Sequence, residues 1–254
     1  MPDQQKLDVV YTLGNGSKHG DDLELRYSLR SIASQPWLNR IFLIGHKPSW
    51  IKNIIHIPLT DYHPSRVKDK NIILKVLRAT AVPSITENFV VWSDDIYALR
   101  TLTIENFGPY IEYPSQYDEV KFIPIQHITS SWKQRLVQTV EFCKKNNYPD
   151  FTPDFHIPYI VPKSLYQEVM FEIPWHYNNG LLTHTFMNVL VPRGQYPSPK
   201  HNPNAIVRIK EQLTHKAIAN VTSNKLFLNH NNTGLNKDMQ FFLNEKFPTQ
   251  SKYE

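Results

Sequence analysis

Strand-like and helical segments alternate through the first half of the chain, and this order constrains the fold most. Apolar β-rich runs cover residues 7–13, 40–45, 54–59 and 89–92. A helical pattern lies between Asp22 and Pro36, and a second one covers residues 71–81. Strands that alternate with helices are typical of a mostly parallel sheet flanked by helices. The sequence therefore predicts a single α/β domain.

The second half, from about Pro109 onward, has a weaker periodicity and more proline, aromatic, asparagine and histidine residues. Helices are predicted at residues 132–146 and 163–171, with ordered loops and short strands between them. No repeat or flexible linker separates this half from the first. We expect it to shape a pocket for a second substrate.

The composition indicates a globular, cytoplasmic protein. Of the 254 residues, 41% are hydrophobic and 20% charged, and the longest apolar runs, such as 89–92, are too short to span a membrane. The amino-terminal residues lack the apolar region of a secretion signal. Cys143 is the single cysteine, which excludes an internal disulfide and favours a reducing compartment.

The chain is basic, with a formal charge of +5 and a pI of about 9.1. This charge favours anionic partners such as nucleotides, nucleic acid or acidic lipids. Because the basic residues are spread along the chain without a long run, the charge alone leaves the partner open.

Two adjacent carboxylates, Asp94 and Asp95, directly follow the apolar strand 89–92. Their charges repel each other next to a low-dielectric core, and a divalent cation would relieve that repulsion. Mg²⁺ or Mn²⁺ prefers oxygen ligands and can carry a substrate phosphate on its other face. The alternative is that one carboxylate caps a turn while the other is solvated. At the carboxyl end of a strand, the metal and diphosphate interpretation is favoured.

Other polar residues are predicted near the same edge of the sheet. The turn Gly14-Asn15-Gly16-Ser17 follows the first strand, also at a carboxyl end. Arg26 and Arg30 lie one helical turn apart, and their guanidinium groups suit a diphosphate, although pairing with nearby acidic residues is an equal alternative. The candidate ligand-binding residues are Thr12, Gly14, Asn15, Arg26, Arg30, Asp61, Lys75 and Asp94.

Three of the 11 histidines are candidates for chemistry: His127, His156 and His230. Zinc-type spacings such as His-x-x-x-His or Cys-x-x-Cys are absent from the sequence, as are the nucleophile-elbow and phosphate-loop motifs. Cys143 lies mid-helix beside an aromatic residue, which favours packing over nucleophilic chemistry.

Several segments, in order along nearly the whole chain, match a known pattern. They are Asp8-Val9-Val10-Tyr11-Thr12, Glu24 to Ile32, Ser93-Asp94-Asp95, His156-Ile157-Pro158 with Pro162-Lys163, and Phe242 to Glu254. These segments resemble the conserved blocks of the Stealth family of sugar-phosphate transferases. Small phage and bacterial proteins of this kind resemble GT-A glycosyltransferases, which implies a GT-A-like, Rossmann-type fold. On this resemblance, residues 1–108 form the nucleotide-sugar-binding half and residues 109–254 the acceptor-binding half of one domain.

The chain departs from the Stealth pattern at two places. Asn15 stands where the family has an acidic residue in the first turn, and Asn229-His230-Asn231 replaces a segment with an acidic residue. These departures favour glycosyl transfer over phosphotransfer. By similarity to GT-A enzymes, His230 or His156 could complete a metal site begun by Asp95.

The leading hypothesis is the transfer of a sugar from a UDP-sugar to an acceptor hydroxyl. Mn²⁺ or Mg²⁺ on Asp94 and Asp95 would neutralise the leaving diphosphate, with Asp95 as the central catalytic residue. The candidates for the base that deprotonates the acceptor are Asp154, His127 and His156.

Three further hypotheses concern the acceptor and the reaction. The basic charge and the phage-like relatives suggest a 5-hydroxymethylpyrimidine in double-stranded phage DNA as acceptor, flipped out of the stack within the host cytoplasm. The rival reaction is hexose-1-phosphate transfer to a glycan, as the Stealth resemblance implies literally. The rival without catalysis is a binding module that keeps the fold.

Overall fold

A five-stranded sheet forms the centre of the computed structural model, which describes residues 6–14, 20–63, 68–110, 117–152, 156–175 and 185–254. Its strands stand in the spatial order β3 (Ile55–Ile57), β2 (Leu38–Gly45), β1 (Leu7–Leu13), β4 (Asn88–Trp92) and β6 (Tyr159–Pro162). The first four are parallel, and β6 joins the edge of β4 in the antiparallel direction. The predicted mostly parallel α/β fold is therefore confirmed.

The predicted helices form at the expected places. The described helices are α1 (Leu23–Ile32), α2 (Lys68–Thr80), α3 (Ser131–Lys145), α4 (Lys163–Glu172), α5 (Thr185–Leu190), α6 (His215–Thr222) and α7 (Lys237–Lys246). The sequence predicted α1 to α4 within a few residues. It did not predict α5, α6 and α7, which lie in the half with weak periodicity.

Residues that alternate along β1 pack into two different cores, because successive side chains of a strand point to opposite faces. Val9 and Tyr11 pack in the cluster that contains Leu25 and Leu29 of α1. Val10 packs in the cluster that contains residues of α2, α4 and α5. Both faces of the central sheet are thus covered, which explains why β1 reads as a continuous apolar run.

A second sheet of three strands follows the central one, and the sequence did not predict it. Its order is β5 (Ile96–Ala98), β8 (Phe227–His230) and β7 (Ile206–Ile209), with β8 antiparallel to β5 and parallel to β7. Asp94 and Asp95 lie in the turn that joins β4 to β5, so they sit where the two sheets meet. No helix within the described ranges is long and apolar enough to cross a membrane.

Candidate active site

A cleft of about 490 Å³ opens at the carboxyl ends of β1 and β4. Residues from both predicted halves contribute to it. The first half supplies Thr12, Gly14, Asp61, Asp69, Asn71, Ile72, Lys75, Val91, Ser93, Asp94 and Asp95. The second half supplies Ser130, Trp132, Lys133, His156, Tyr159, Arg208 and Lys210. Seven of the predicted ligand-binding or catalytic residues therefore meet in one cavity: Thr12, Gly14, Asp61, Lys75, Asp94, Asp95 and His156.

Asp94 and Asp95 form the acidic part of this cleft. Burial raises the pKa of Asp94 from its ordinary 3.8 to about 7, and the charges of Asp95, Glu24 and Asp22 add to that shift in this order. Three neighbouring carboxylates thus act on Asp94, which indicates a local excess of negative charge around the turn. Such a site favours a cation or a group that donates hydrogen bonds.

Buried hydrogen bonds fix the turn that carries the two carboxylates. The Ser28 hydroxyl of α1 lies 2.7 Å from the carbonyl oxygen of Ile96 and 3.2 Å from that of Ser93. The indole nitrogen of Trp92 also donates to the Ile96 carbonyl, at 3.0 Å. On the other side, Asn229 of β8 donates to the carbonyl of Asp95 at 3.1 Å. Both sheets and α1 therefore hold the backbone around Asp94 and Asp95.

Lys75 and Asp61 form an ion pair at the end of β1. The Lys75 ammonium lies 2.5 Å from Asp61 Oδ1 and donates to the carbonyl of Leu13 at 2.8 Å, and its side chain is 3% exposed. Gly14 follows Leu13, and a Cβ there would lie 3.3 Å from Asp61 Oδ2. The close approach explains the glycine: the Asp61 carboxylate packs over the backbone at this position.

Arg208 and His156 form a second polar contact in the cleft, which the sequence analysis did not identify as a pair. An Nη1 proton of Arg208 points to Nδ1 of His156 at 3.2 Å. Burial lowers the pKa of Arg208, since its guanidinium is largely removed from water. The sequence signal was a basic residue within the apolar strand Ile206–Ile209, followed by Lys210. The weak periodicity of this half concealed it.

The structure places Arg26 and Arg30 in ion pairs with acidic residues, the second of the two alternatives that their spacing allowed. Arg30 makes a bidentate ion pair with Glu254, with both distances 2.8 Å, and Arg26 contacts Asp21 at 2.5 Å and stacks 4.0 Å over the ring of Trp50. Neither arginine lines the cleft. Helical spacing correctly placed the two guanidinium groups on one face, but that face meets Glu254 rather than a ligand.

The structure places His230, the predicted metal ligand, among buried residues outside the cleft lining. Its ring is buried and stacks on Tyr97, whose hydroxyl lies 2.6 Å from Nε2, while Nδ1 lies 3.0 Å from the carbonyl of Asn231. Both ring nitrogens are therefore used inside the protein. Among the described residues, no group of three or more His, Cys, Asp or Glu side chains is arranged to hold a metal ion.

The remaining predicted residues are placed as follows. His127 lies exposed in a single helical turn, Ile125–His127, and does not line the cleft, and its role as a base stays a prediction. Asn15 and Asp154 lie outside the described residues, so their predicted roles stay predictions. Cys143 is buried, as its predicted packing role requires.

Comparisons with known proteins show a resemblance to capsular polysaccharide phosphotransferases. The chain is 31% identical over 93 residues to LcbA of Neisseria meningitidis, which covers 33% of this chain and 25% of that protein. It is 27% identical over 115 residues to cps1A of Actinobacillus pleuropneumoniae, which covers 42% of this chain and 31% of that protein. The matches thus span about a quarter to a third of these curated relatives. No protein-family model matches the chain.

The fold as a whole resembles a solved glycosyltransferase. The galactosyltransferase LgtC, solved with donor and acceptor sugar analogues, superposes with a TM-score of 0.50 at 10% identity, over 97% of this chain and 98% of that one. The predicted resemblance to Stealth-type transferases and the GT-A-like fold are both confirmed, and the comparisons support the prediction of a transferase.

Proposed function

We propose that this chain transfers a sugar phosphate from a nucleotide sugar to a hydroxyl group of a glycan. The observation that carries the proposal is the cleft at the carboxyl ends of β1 and β4, where Asp94 and Asp95 share one cavity with Lys75, Arg208 and Lys210. Carboxylates that can hold a cation, beside basic groups that can bind phosphate, suit a diphosphate donor. The similarity to capsular polysaccharide phosphotransferases favours phosphotransfer over the glycosyl transfer that the sequence favoured.

The proposed reaction breaks the phosphoanhydride bond of the donor diphosphate and forms a phosphoester bond to the acceptor. The acceptor oxygen bonds to the phosphorus that carries the sugar, and the bond from that phosphorus to the bridging oxygen breaks. The nucleoside monophosphate leaves with the electron pair, and the acceptor proton passes to a base. Because the transition state of phosphoryl transfer spreads charge over the phosphate oxygens, positioning and cationic groups carry most of the catalysis.

The residues of the cleft fit a divalent cation in part. Asp94 and Asp95 offer oxygen ligands at one turn. Burial, and after it the charges of the neighbouring carboxylates, raises the pKa of Asp94, and a bound cation would offset both effects. His230 is not available as a third protein ligand, so donor phosphate oxygens would complete the coordination. A bound cation there would stabilise the negative charge on the leaving phosphate.

Nucleotide release tests the proposal and separates it from glycosyl transfer. The full chain is incubated with Mn²⁺ or Mg²⁺, a panel of nucleotide sugars including UDP-sugars, and capsular-type oligosaccharides as acceptors. We expect nucleoside monophosphate and a phosphodiester product, detected by ³¹P NMR. Release of nucleoside diphosphate with a glycosidic product would instead establish the glycosyltransferase. Hydroxymethylated duplex DNA belongs in the acceptor panel, because it stays the acceptor predicted from the sequence.

A matched pair of variants links turnover to the carboxylates. Asp95→Asn keeps the shape of the side chain and removes its charge, and we expect turnover to fall by about 100-fold or more. Asp238→Asn is the control, because Asp238 is exposed in the first turn of α7 and does not line the cleft. Equal turnover in Asp95→Asn and wild type would refute the assignment of this site.

A further inference from the structure

The contact between Arg208 and His156 determines which nitrogen of the histidine carries a proton. A guanidinium group has only N–H donors and no acceptor. In the 3.2 Å contact, Nδ1 of His156 must therefore be the acceptor. A neutral imidazole has one protonated nitrogen, so the proton of His156 resides on Nε2.

We propose that Arg208 is a positioning residue that holds His156 in the Nε2–H tautomer, so that His156 binds the donor phosphate as a hydrogen-bond donor. This inference rests on the proposed function for the identity of the ligand, a phosphate group of a nucleotide sugar. It assigns a role to Arg208 and removes His156 from the predicted candidates for the base.

The second sheet places this pair opposite the carboxylates. In the strand register, Ile96 pairs with Asn229, and Asn229 pairs with Arg208, so the three residues form one row across the sheet. Asp95 directly precedes Ile96, and its carbonyl accepts from Asn229 at 3.1 Å. Two strand spacings separate the backbones at Ile96 and Arg208 by about 10 Å. A phosphate in the cleft can therefore lie between the carboxylates and the Arg208–His156 pair.

The charge of the cleft on the Arg208 side also suits an anion. Lys210 lies two residues beyond Arg208 and hence on the same face of the chain, and both residues line the cavity. A hydrogen-bond donor beside two cations favours phosphate oxygens.

The tautomer is measured directly by long-range ¹H–¹⁵N NMR of the full chain with ¹⁵N-labelled histidine. The signals of His156 are assigned by their loss in His156→Gln. We expect wild type to show the Nε2–H pattern. Arg208→Lys should retain this pattern, because lysine keeps a hydrogen-bond donor, and Arg208→Met should lose it. An Nδ1–H pattern in wild type, or an unchanged pattern in Arg208→Met, would overturn the proposal.

Substitutions of His156 test its role in turnover. The amide of a glutamine can donate near the position of Nε2 but cannot act as a base. If His156 is a hydrogen-bond donor, the turnover of His156→Gln should be less than about tenfold below wild type, while the turnover of His156→Ala should be about 100-fold below it. If His156 is a base, both variants should lose turnover equally, by about 100-fold or more, and the proposal fails. His46→Gln, at an exposed position outside the cleft, is the matched control.

The two proposals fail in different ways. If wild type releases no nucleotide from any donor, the proposed function fails, while the NMR experiment still decides whether Arg208 fixes the tautomer. If wild type turns over and the tautomer is Nδ1–H, the function stands and the role of Arg208 is refuted.

Discussion

The hydroxyl of Ser28 joins α1 to the turn that carries Asp94 and Asp95, and its removal is the most informative perturbation. Ser28 is fully buried and donates to the carbonyl of Ile96 at 2.7 Å. It then accepts from the Tyr11 hydroxyl at 2.9 Å and from the Trp92 indole at 3.1 Å. In Ser28→Ala, the indole keeps its bond to Ile96, but the Tyr11 hydroxyl loses its partner.

The expected cost follows from that single buried hydroxyl. A buried polar group without a partner costs about 1–3 kcal/mol. For a chain of this size, that corresponds to a fall of the melting temperature by about 2–12 °C. Tyr11→Phe removes the hydroxyl that Ser28→Ala strands, so it should cost only about 0.5–1.5 kcal/mol. When Tyr11→Phe is added to Ser28→Ala, the double variant should be little less stable than Ser28→Ala, or more stable than it.

The assay is a double-mutant cycle by urea unfolding, with Ser34→Ala at an exposed position as the control. The losses should be non-additive, with the double variant more stable than the sum by at least about 0.5 kcal/mol. Losses that add within that margin would refute the coupling of the two hydroxyls. Because Ser28 holds carbonyls on both sides of the two carboxylates, Ser28→Ala should also lower turnover more than Tyr11→Phe does.

Three further predictions concern buried carboxylates. The raised pKa of Asp94 costs stability increasingly as the pH rises from 3.8 to about 7. With chelator at pH 8, the free energy of unfolding of Asp94→Asn should therefore exceed that of wild type by up to about 4 kcal/mol, and equal stability would contradict this. Burial raises the pKa of Glu254, but the hydrogen bonds and charge of Arg30, the backbone N–H of Ser251 and the hydrogen bond from Arg26 together outweigh it and leave that pKa below 4.5. Glu254→Gln should therefore cost about 1–3 kcal/mol at neutral pH, and denaturant unfolding should show the deficit shrinking as the pH falls through the lowered pKa. Asp8 is fully buried and bound by Arg40 at 2.8 Å, so Asp8→Ala should lower the unfolding free energy by about 3–5 kcal/mol, and a loss under 1 kcal/mol would refute that role.

The sequence by itself determined the four parallel strands of the central sheet and the position of the acidic turn. A continuous apolar strand, its length and the polar residues that follow it are local properties, and they fix where the chain leaves the core. For that reason, Asp94 and Asp95 were placed correctly at the end of β4. Thr12 and Gly14 were placed at the same edge of the sheet as Asp94 and Asp95 for the same reason, because the carboxyl ends of the parallel strands β1 and β4 lie on one side.

Only the tertiary structure decided which partner each charged or polar side chain meets. Arg30 and Glu254 are 224 residues apart in sequence, and no periodicity relates them. His156 follows an aromatic residue and His230 lies between two asparagines, yet His156 lines the cleft beside Arg208 and His230 is buried against Tyr97. Periodicity reports the face of an element, whereas a partner depends on which elements pack together. The candidate site was therefore predictable where it lies on strand ends, and not where two sheets bring distant residues into contact.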